Sequence, residues 1–365
     1  MLFDLDLGIA AVLPHDRSMK IGCIGAGFIM RDCHLEAYRQ VGFHPRAITS
    51  LDRAQSEAVA ARHGIPVVYD TWRELIRDPE VAILDIAIPP DQQLEVVRAA
   101  VTEKSHIRGI QAQKPLAMSL AEARETVALA TEAGVPLSVN CNMRYDQSIR
   151  ALKTILARGW LGEIVLATIE MRAIPHWQEF LRKYQRIELL NMGIHHIDTF
   201  RYLFGDPEKI TAVARSDPRT TFPHIDGITQ YTFRYASGLM ATSLDDVWTG
   251  PREECDSDIY IKWRVEGLDG LAQGTIGWPR YPARAPSTLS FTTKYTSRAW
   301  ISPSWDEVWF PDAFAGPMAQ LMCAVENGTE PEISGRDNLR TLACVEACYR
   351  SIAEERTVRL DEFPL

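Results

Sequence analysis

Close to its start, the chain contains a glycine-rich stretch that decides the fold: residues 20–30 read KIGCIGAGFIM. A short apolar run leads into Gly25 and Gly27, which are separated by one residue. In a strand–turn–helix unit, the first glycine permits a tight turn and the second lets a pyrophosphate approach the backbone. Phe28 and Ile29 then lie at the helix N-terminus, whose free amides attract negative charge. The pattern predicts a dinucleotide-binding turn, and a plain glycine turn is the alternative.

Downstream of the glycines, short apolar runs alternate with segments of helical periodicity as far as residue 140. We predict strands at 20–25, 46–49, 67–69, 82–88, 109–113 and 137–140. We predict helices at 28–40, 54–63, 72–77, 91–102 and 119–133. This order is typical of a doubly wound parallel sheet, an α/β Rossmann domain, with helices on both faces.

After a predicted bridging helix at 148–158, the pattern changes to longer strands with few helices between them. These strands are expected at 164–172, 210–215, 229–235, 239–243, 259–266 and 289–295, with closing helices at 314–326 and 336–354. Such a pattern favours an open, mostly antiparallel sheet in an α+β domain. We therefore expect an N-terminal extension at 1–18, a Rossmann domain at 19–145 and a substrate and oligomerisation domain at 146–365.

The composition restricts the class of protein. The chain has 365 residues, 46% of them hydrophobic and 24% charged, which is typical of soluble globular proteins. A net charge of −9 disfavours nucleic acid and anionic membranes as partners. Seven scattered cysteines form no metal-binding pattern and favour a reducing, cytoplasmic location without a structural metal. Residues 1–18 lack the basic start of a secretory signal, and either a short cap or an upstream start codon explains them.

Two segments of the sequence bear on how the cofactor is bound. The third glycine of the dinucleotide fingerprint is Met30 here, so strand and helix are expected to lie further apart. At the end of the second strand, where an acid favours NAD and an arginine favours NADP, the chain has Ser50, Asp52 and Arg53. Asp52 is equally suited to cap the next helix. The cofactor is therefore NAD or NADP, with a small preference for NAD.

Two further motifs identify a family resemblance. Gln113-Lys114-Pro115 follows the fifth strand, and residues 191–198 read NMGIHHID. Together with the glycine turn and residues 139–145, VNCNMRY, they resemble the glucose–fructose oxidoreductase, inositol dehydrogenase and MocA family over nearly the whole chain. That family usually has Glu-Lys-Pro and D-x-G-x-H-x-x-D, so Gln113 and Asn191 replace two acids here.

The resemblance implies roles for individual residues. Lys114 and His195 would be the catalytic pair on the substrate hydroxyl, with Asn191 beside them. Histidine titrates near neutrality, so His195 suits the base in oxidation and the acid in reduction. Lys114 would hydrogen-bond the same oxygen and stabilise developing negative charge, or share the proton transfer if burial lowers its pKa. The remaining positions assigned to the cofactor are Pro89, Gln93, Gln113, Lys114 and Asn142. Asp198 would orient a neighbour or be a structural partner, and His196 would have a separate packing role.

A loop after the first strand of the second domain supplies candidate substrate residues. Arg172, His176 and Trp177 combine charge, hydrogen bonding and an aromatic face, which suits a sugar ring; a solvated loop is the alternative. The family's substrates imply a polyol, cyclitol, aldose or glycoside. The resemblance also implies a homodimer or homotetramer formed through the C-terminal sheet.

The function expected from these features is hydride transfer between a secondary hydroxyl of a sugar, glycoside or cyclitol and NAD(P). Two alternatives remain open at this stage. One is a glycoside hydrolase or lyase that uses bound NAD for transient oxidation. The other is a non-catalytic sensor that binds a dinucleotide.

Overall fold

The computed structural model describes residues 6–103, 106–173, 179–251, 259–278 and 283–364. The chain forms two compact units. The Rossmann unit contains Ala11–Asn142 and Phe310–Leu339. The mixed-sheet unit contains residues 6–10, Met143–Trp309 and residues 340–364. Among the described residues, no helix is both long and apolar enough to cross a membrane.

The sheet of the Rossmann unit has six parallel strands in the order β3-β2-β1-β4-β5-β6. Their bounds are β1 Lys20–Ile24, β2 His44–Thr49, β3 Val67–Val68, β4 Ile83–Ile86, β5 Gly109–Ala112 and β6 Leu137–Val139. All residues of β4, β5 and β6 are buried, as expected for parallel strands covered on both faces. The predicted doubly wound sheet is confirmed.

Helices connect these strands. A π-helical segment, Ile29–His34, continues into α1. The helices are α1 Leu35–Val41, α2 Arg53–His63, α3 Trp72–Leu75, α4 Pro90–Thr102 and α5 Leu120–Glu132. Side-chain caps start several of them, such as Ser119, which accepts a hydrogen bond from the amide of Glu122 at the start of α5.

A segment from far along the chain completes the Rossmann unit. Helix α9 (Ala315–Asn327) contributes Met318, Leu321 and Met322 to the same apolar core as β1 and β2. A Cβ atom on Gly109 would lie 2.8 Å from Val325, which shows how closely α9 packs on β5. The structure therefore differs from the predicted division at residue 145, because Phe310–Leu339 belongs with the first sheet.

The mixed-sheet unit is built on eight strands in the order β13-β12-β11-β7-β10-β9-β8-β14. Their bounds are β7 Ile164–Arg172, β8 Lys209–Arg215, β9 Ile228–Arg234, β10 Met240–Asp246, β11 Tyr260–Gly267, β12 Gly270–Thr275, β13 Thr288–Thr293 and β14 Val358–Arg359. All neighbouring strands are antiparallel except β7 and β10. This confirms the open, mostly antiparallel α+β class. Buried and exposed residues alternate along β8, β9 and β10, so helices cover one face only.

The helices of this unit carry several candidate residues. They are α6 Gln147–Ala157, α7 Glu188–Asn191, α8 Gly193–Phe204 and most of α10, Gly335–Glu354. Helix α8 lies on the covered face of the sheet, where His196 contacts Asp245 of β10.

The described part of the N-terminal extension makes specific contacts. The carbonyl of Leu7 accepts a hydrogen bond of 2.7 Å from the hydroxyl of Thr154 on α6. Further along, the amides of His15 and Asp16 donate to the carboxylate of Glu326 on α9 at 3.1 and 3.0 Å. Residues 6–18 are therefore placed by defined partners.

Candidate active site

In the Rossmann unit, the glycine turn has the geometry that a dinucleotide requires. Gly25 has a φ of +105°, and its Cβ would lie 2.4 Å from the carbonyl oxygen of Ala87, so only glycine is tolerated there. Gly27 is exposed, and a Cβ built on it would meet no atom within 4 Å. That open space beside the start of a helical segment is the right setting for a pyrophosphate.

The residues after the glycines form a wide helical turn instead of a regular α-helix. Phe28 and Ile29 are half-buried, and the amide of Arg31 donates to the carbonyl of Gly27 at 2.9 Å. Met30, in place of the third glycine, is fully buried in the unit's core. The packing site of that glycine is thus filled by a side chain, and the helix begins as a π-helix.

The end of β2 bears on the choice between NAD and NADP. The hydroxyl of Ser50 donates to the carbonyl of Asp52 at 2.8 Å, and Asp52 caps α2. Arg53 is held by ion pairs with Asp70 and Glu57. Two carboxylates beside the guanidinium oppose the approach of a further phosphate.

Helix α4 supports the turn between Gln113 and Pro115 through hydrogen bonds. Pro89 immediately precedes α4 and occupies its N-cap position. Gln93 of α4 is fully buried, and its amide nitrogen donates to the carbonyls of Gln113 and Pro115 at 2.9 Å each. Its amide oxygen accepts from the backbone of Gln113 at 2.8 Å. Gln93 was predicted to bind the cofactor, but these contacts make it a support for the loop that carries Lys114.

Lys114 lies just beyond the carboxyl end of β5. Its backbone amide donates to the side-chain oxygen of Gln113 at 2.9 Å, and its side chain is half-buried. Burial lowers the pKa of the Lys114 ammonium from 10.5 to about 8. An amine with that pKa is suited to exchange a proton near neutral pH.

Asn142 lies in the next loop along this edge. It is buried at the start of a short 3₁₀ helix, Asn142–Tyr145, after β6. The carboxyl ends of parallel strands share one edge of the sheet, so β1, β5 and β6 deliver the glycine turn, Lys114 and Asn142 to the same side.

In the mixed-sheet unit, His195 and Asn191 lie on consecutive short helices. His195 is 4% exposed and Asn191 is 9% exposed. The imidazole of His195 contacts Trp309 edge to face, with ring centroids 5.6 Å apart, and Trp309 contacts Trp278 in the same way at 6.4 Å. The packing of these two tryptophans restricts the orientation of the His195 ring.

Gly193 has a packing reason to be glycine. A Cβ on it would lie 2.8 Å from the carboxylate of Glu188, which is fully buried and accepts a hydrogen bond of 2.6 Å from Thr229. Burial and the neighbouring Asp245 raise the pKa of Glu188 well above its usual range.

The other two polar residues of the motif have structural partners. His196 is fully buried, and its Nδ1 lies 3.0 Å from Asp245, which agrees with the expected packing role. Asp198 forms a buried two-point ion pair with Arg144, with both distances 2.7 Å. Asp198 is therefore the structural partner that the sequence left as one of two options.

Of the loop residues predicted for the substrate, the structure describes Arg172. Arg172 pairs with Glu170 at 2.8 Å and faces Tyr260, on the open face of the sheet and not the face that α8 covers. Strand alternation turns its side chain away from the helices, and a substrate role for Arg172 stays a prediction. His176 and Trp177 lie outside the described residues.

Three structurally important residues were not singled out from the sequence. These are Trp309, Trp278 and Glu188. The concentration of tryptophans after Thr242 was the available signal for the first two. Glu188 lies three residues before Asn191, a spacing that places both on one short helix, α7.

Comparison with known protein families identifies both halves of the chain. Residues 19–141 match the model described as oxidoreductase family, NAD-binding Rossmann fold, and residues 149–270 match the GFO/IDH/MocA C-terminal domain. The chain belongs to the GFO/IDH/MocA oxidoreductase family. The predicted family and enzyme class are confirmed: the protein is a nicotinamide-dinucleotide-dependent oxidoreductase.

Relatives within this family span nearly the whole chain. A D-apiose dehydrogenase from Paraburkholderia graminis is 29% identical over 356 residues, covering 96% of this chain and 92% of the relative. A 1,5-anhydro-D-fructose reductase from Ensifer adhaerens is 25% identical over 349 residues, covering 93% and 98%.

Solved structures have the same fold. An oxidoreductase from Agrobacterium radiobacter in complex with NAD+, L-tartaric acid and magnesium has a TM-score of 0.78 and 25% identity, covering 94% of this chain and 99% of that one. A levoglucosan dehydrogenase in complex with NADH and levoglucosan has a TM-score of 0.79 and 19% identity, with the same coverage.

Proposed function

We propose that this family member is a dehydrogenase that oxidises one secondary hydroxyl of a sugar, glycoside or cyclitol. The observation that carries the proposal is the shared sheet edge of the Rossmann unit, where the open glycine turn and Lys114 follow parallel strands. The names of two full-length relatives, a D-apiose dehydrogenase and a 1,5-anhydro-D-fructose reductase, support a sugar substrate.

The residues of this chain would handle the hydroxyl proton, and a nicotinamide held at the glycine turn would supply the hydride acceptor. Lys114 is proposed as the general base, because a pKa of about 8 gives its amine a substantial neutral fraction near physiological pH. His195 is proposed to hydrogen-bond the substrate. Asn191 would hydrogen-bond there without charge, since an amide cannot act as the acid usually found at this position.

NAD is the proposed preferred cofactor. The two carboxylates that pair with Arg53 offset the positive charge of its guanidinium, which disfavours binding of a ribose 2′-phosphate. Gly27, Phe28 and Ile29 are proposed to hold the pyrophosphate through backbone amides, while Gly25 shapes the turn, since its amide donates to the carbonyl of Thr49 at 2.8 Å.

A spectrophotometric screen tests this function. Purified protein is incubated with NAD+ or NADP+ and a panel of branched and linear aldoses, anhydro sugars, inositols, polyols and glycosides. We expect NADH formation with at least one sugar or cyclitol, and loss of it in Lys114→Ala and His195→Ala variants that still bind NAD+. Absence of NADH with every compound, or full activity in either variant, would contradict the assignment.

Assembly and location are also proposals. The uncovered face of the mixed sheet exposes Val213 and Met240, at 61% and 43%, which supports pairing of two chains through this face. Light scattering should give the mass of a dimer or tetramer. Six free cysteines among the described residues support a reducing, cytoplasmic location, which fractionation of the source cells tests.

A further inference from the structure

The Rossmann unit contains a buried polar network that the proposed chemistry does not use. Its members are each exposed by 1% or less: His34, Tyr38, Asp85, Gln111 and Asn140. Burying so many polar groups is costly unless they are mutually hydrogen-bonded.

Asp85 of β4 is the centre of this network. Its Oδ2 lies 2.7 Å from Nδ1 of His34 and accepts a hydrogen bond of 2.6 Å from the hydroxyl of Tyr38. Its Oδ1 accepts a longer one, of 3.3 Å, from Gln111 on the neighbouring strand β5. The other ring nitrogen of His34 lies 2.8 Å from the amide of Asn140. Both ring nitrogens of His34 therefore have a hydrogen-bond partner inside the network.

The same strand anchors the other end of the glycine turn. Gly25 packs against the carbonyl of Ala87, just beyond the end of β4, where a Cβ would lie 2.4 Å from the oxygen. The segment from Gly25 to His34 is therefore fixed at both ends on β4 and its continuation.

Between those anchors, the segment is one continuous helical run. The Arg31 amide bonds to the carbonyl of Gly27, and Ile29–His34 is π-helical, which adds one residue to the turn compared with an α-helix. The wide turn ends at His34, whose imidazole packs between Tyr38 and Phe314. A displacement of His34 would pass along this run to the amides that follow Gly27.

We infer that His34 is a positioning residue for the dinucleotide, acting through its hydrogen bond to Asp85 to hold the glycine turn in its binding shape. The inference rests on dinucleotide binding by this family and not on the identity of the substrate. His34 is 1% exposed, so it acts on the turn without touching the cofactor.

The chain offers a matched pair of variants. His34→Leu and Tyr38→Phe each remove one of the two short hydrogen bonds to the same oxygen of Asp85, but only His34 ends the glycine-turn segment. NAD+ binding is measured by titration calorimetry at a temperature where both variants are folded, beside their melting temperatures. We expect His34→Leu to weaken NAD+ binding about tenfold and Tyr38→Phe to leave it within twofold, with both lowering the melting temperature.

Two further variants make the test independent of folding defects. His34→Leu combined with Asp85→Asn removes the buried charge together with its partner, and it should weaken NAD+ binding like the single variant. His34→Asn keeps a donor near the position of Nδ1 and should restore binding to within threefold. Wild-type affinity in His34→Leu or in the double variant, or an equal loss in Tyr38→Phe, would overturn the inference. Because binding is measured directly, a failed substrate screen would leave this result unaffected.

Discussion

The imidazole of His195 meets the indole of Trp309 edge to face, with ring centroids 5.6 Å apart and ring planes at 87°. Trp309→Leu should lower kcat about fivefold, because loss of an aromatic contact of about 1 kcal/mol weakens the restraint on the histidine ring. Trp309→Phe should keep most of the activity, since it preserves the aromatic face. Steady-state rates check both, and Trp300→Leu, at a half-exposed site, is the control that should change nothing.

The pH dependence of the oxidation rate should reflect the protonation of Lys114. Its pKa is lowered to about 8 by burial, so the neutral, proton-accepting amine predominates only above that pH. The rate of sugar oxidation at low substrate should rise with pH and level off above about pH 8. Lys114→Ala should lose about 10²- to 10⁴-fold in rate together with this inflection. An unchanged profile in the variant would assign the inflection to another group.

Cofactor preference should depend on the two carboxylates that hold Arg53. The substitutions Glu57→Gln and Asp70→Asn remove both ion pairs of the Arg53 guanidinium. Its positive charge then becomes available to the 2′-phosphate, so kcat/KM for NADP+ should rise about tenfold. The value for NAD+ should change little. Kinetics with both cofactors measure the ratio, and Arg53→Ala in the same background should abolish the gain.

The buried pair of Arg144 and Asp198 should be important for stability. Asp198→Ala removes the carboxylate that binds the buried Arg144 guanidinium at two points, and it should lower the free energy of unfolding by about 3–5 kcal/mol in denaturant titrations. The exposed pair of Arg73 and Glu95 is a suitable comparison, and Glu95→Gln should cost less than about 1 kcal/mol. Similar losses in both variants would contradict this difference.

A second stability prediction concerns Asp146, the cap of α6. Burial raises its pKa from 3.8 to about 6, so the folded state binds this proton more tightly than the unfolded state. The stability gained by protonation is complete below about pH 4 and is lost as the pH rises to 6, a change of about 3 kcal/mol. Asp146→Asn keeps a capping side chain and should flatten this part of the pH–stability curve.

The sequence was sufficient for the Rossmann sheet because its strands are short, apolar and separated by helices. The edge of that sheet was equally predictable, since Gly25 and Lys114 directly follow predicted strands. Strand β12 was missed because Gly270 and Gly274 weaken its strand signal. Its Gly274 is required by packing, since a Cβ there would lie 2.1 Å from the carbonyl of Thr288.

Other features depend on contacts that sequence spacing does not reveal. Separate roles for His195 and His196 follow from the family resemblance and not from spacing, and only the structure shows that Asp245 on β10 is the partner of His196. An apolar helix such as α9 could pack on either sheet as far as its sequence shows. Only its contacts with the core of the Rossmann unit show which sheet it covers. Arg172 was assigned to the substrate because of its charge, whereas its strand turns the side chain to the open face.

The return of Phe310–Leu339 to the first sheet means that neither unit is encoded by one continuous stretch of the gene. A fragment ending at Asn142 would carry six strands but would expose the surface of β5 that Leu321 and Val325 cover. Exchange of substrate specificity between relatives by recombination therefore needs junctions on both sides of α9. A single crossover near residue 142 would combine the first sheet of one protein with helix α9 of another. The contact between the two parents would then lie in the hydrophobic core.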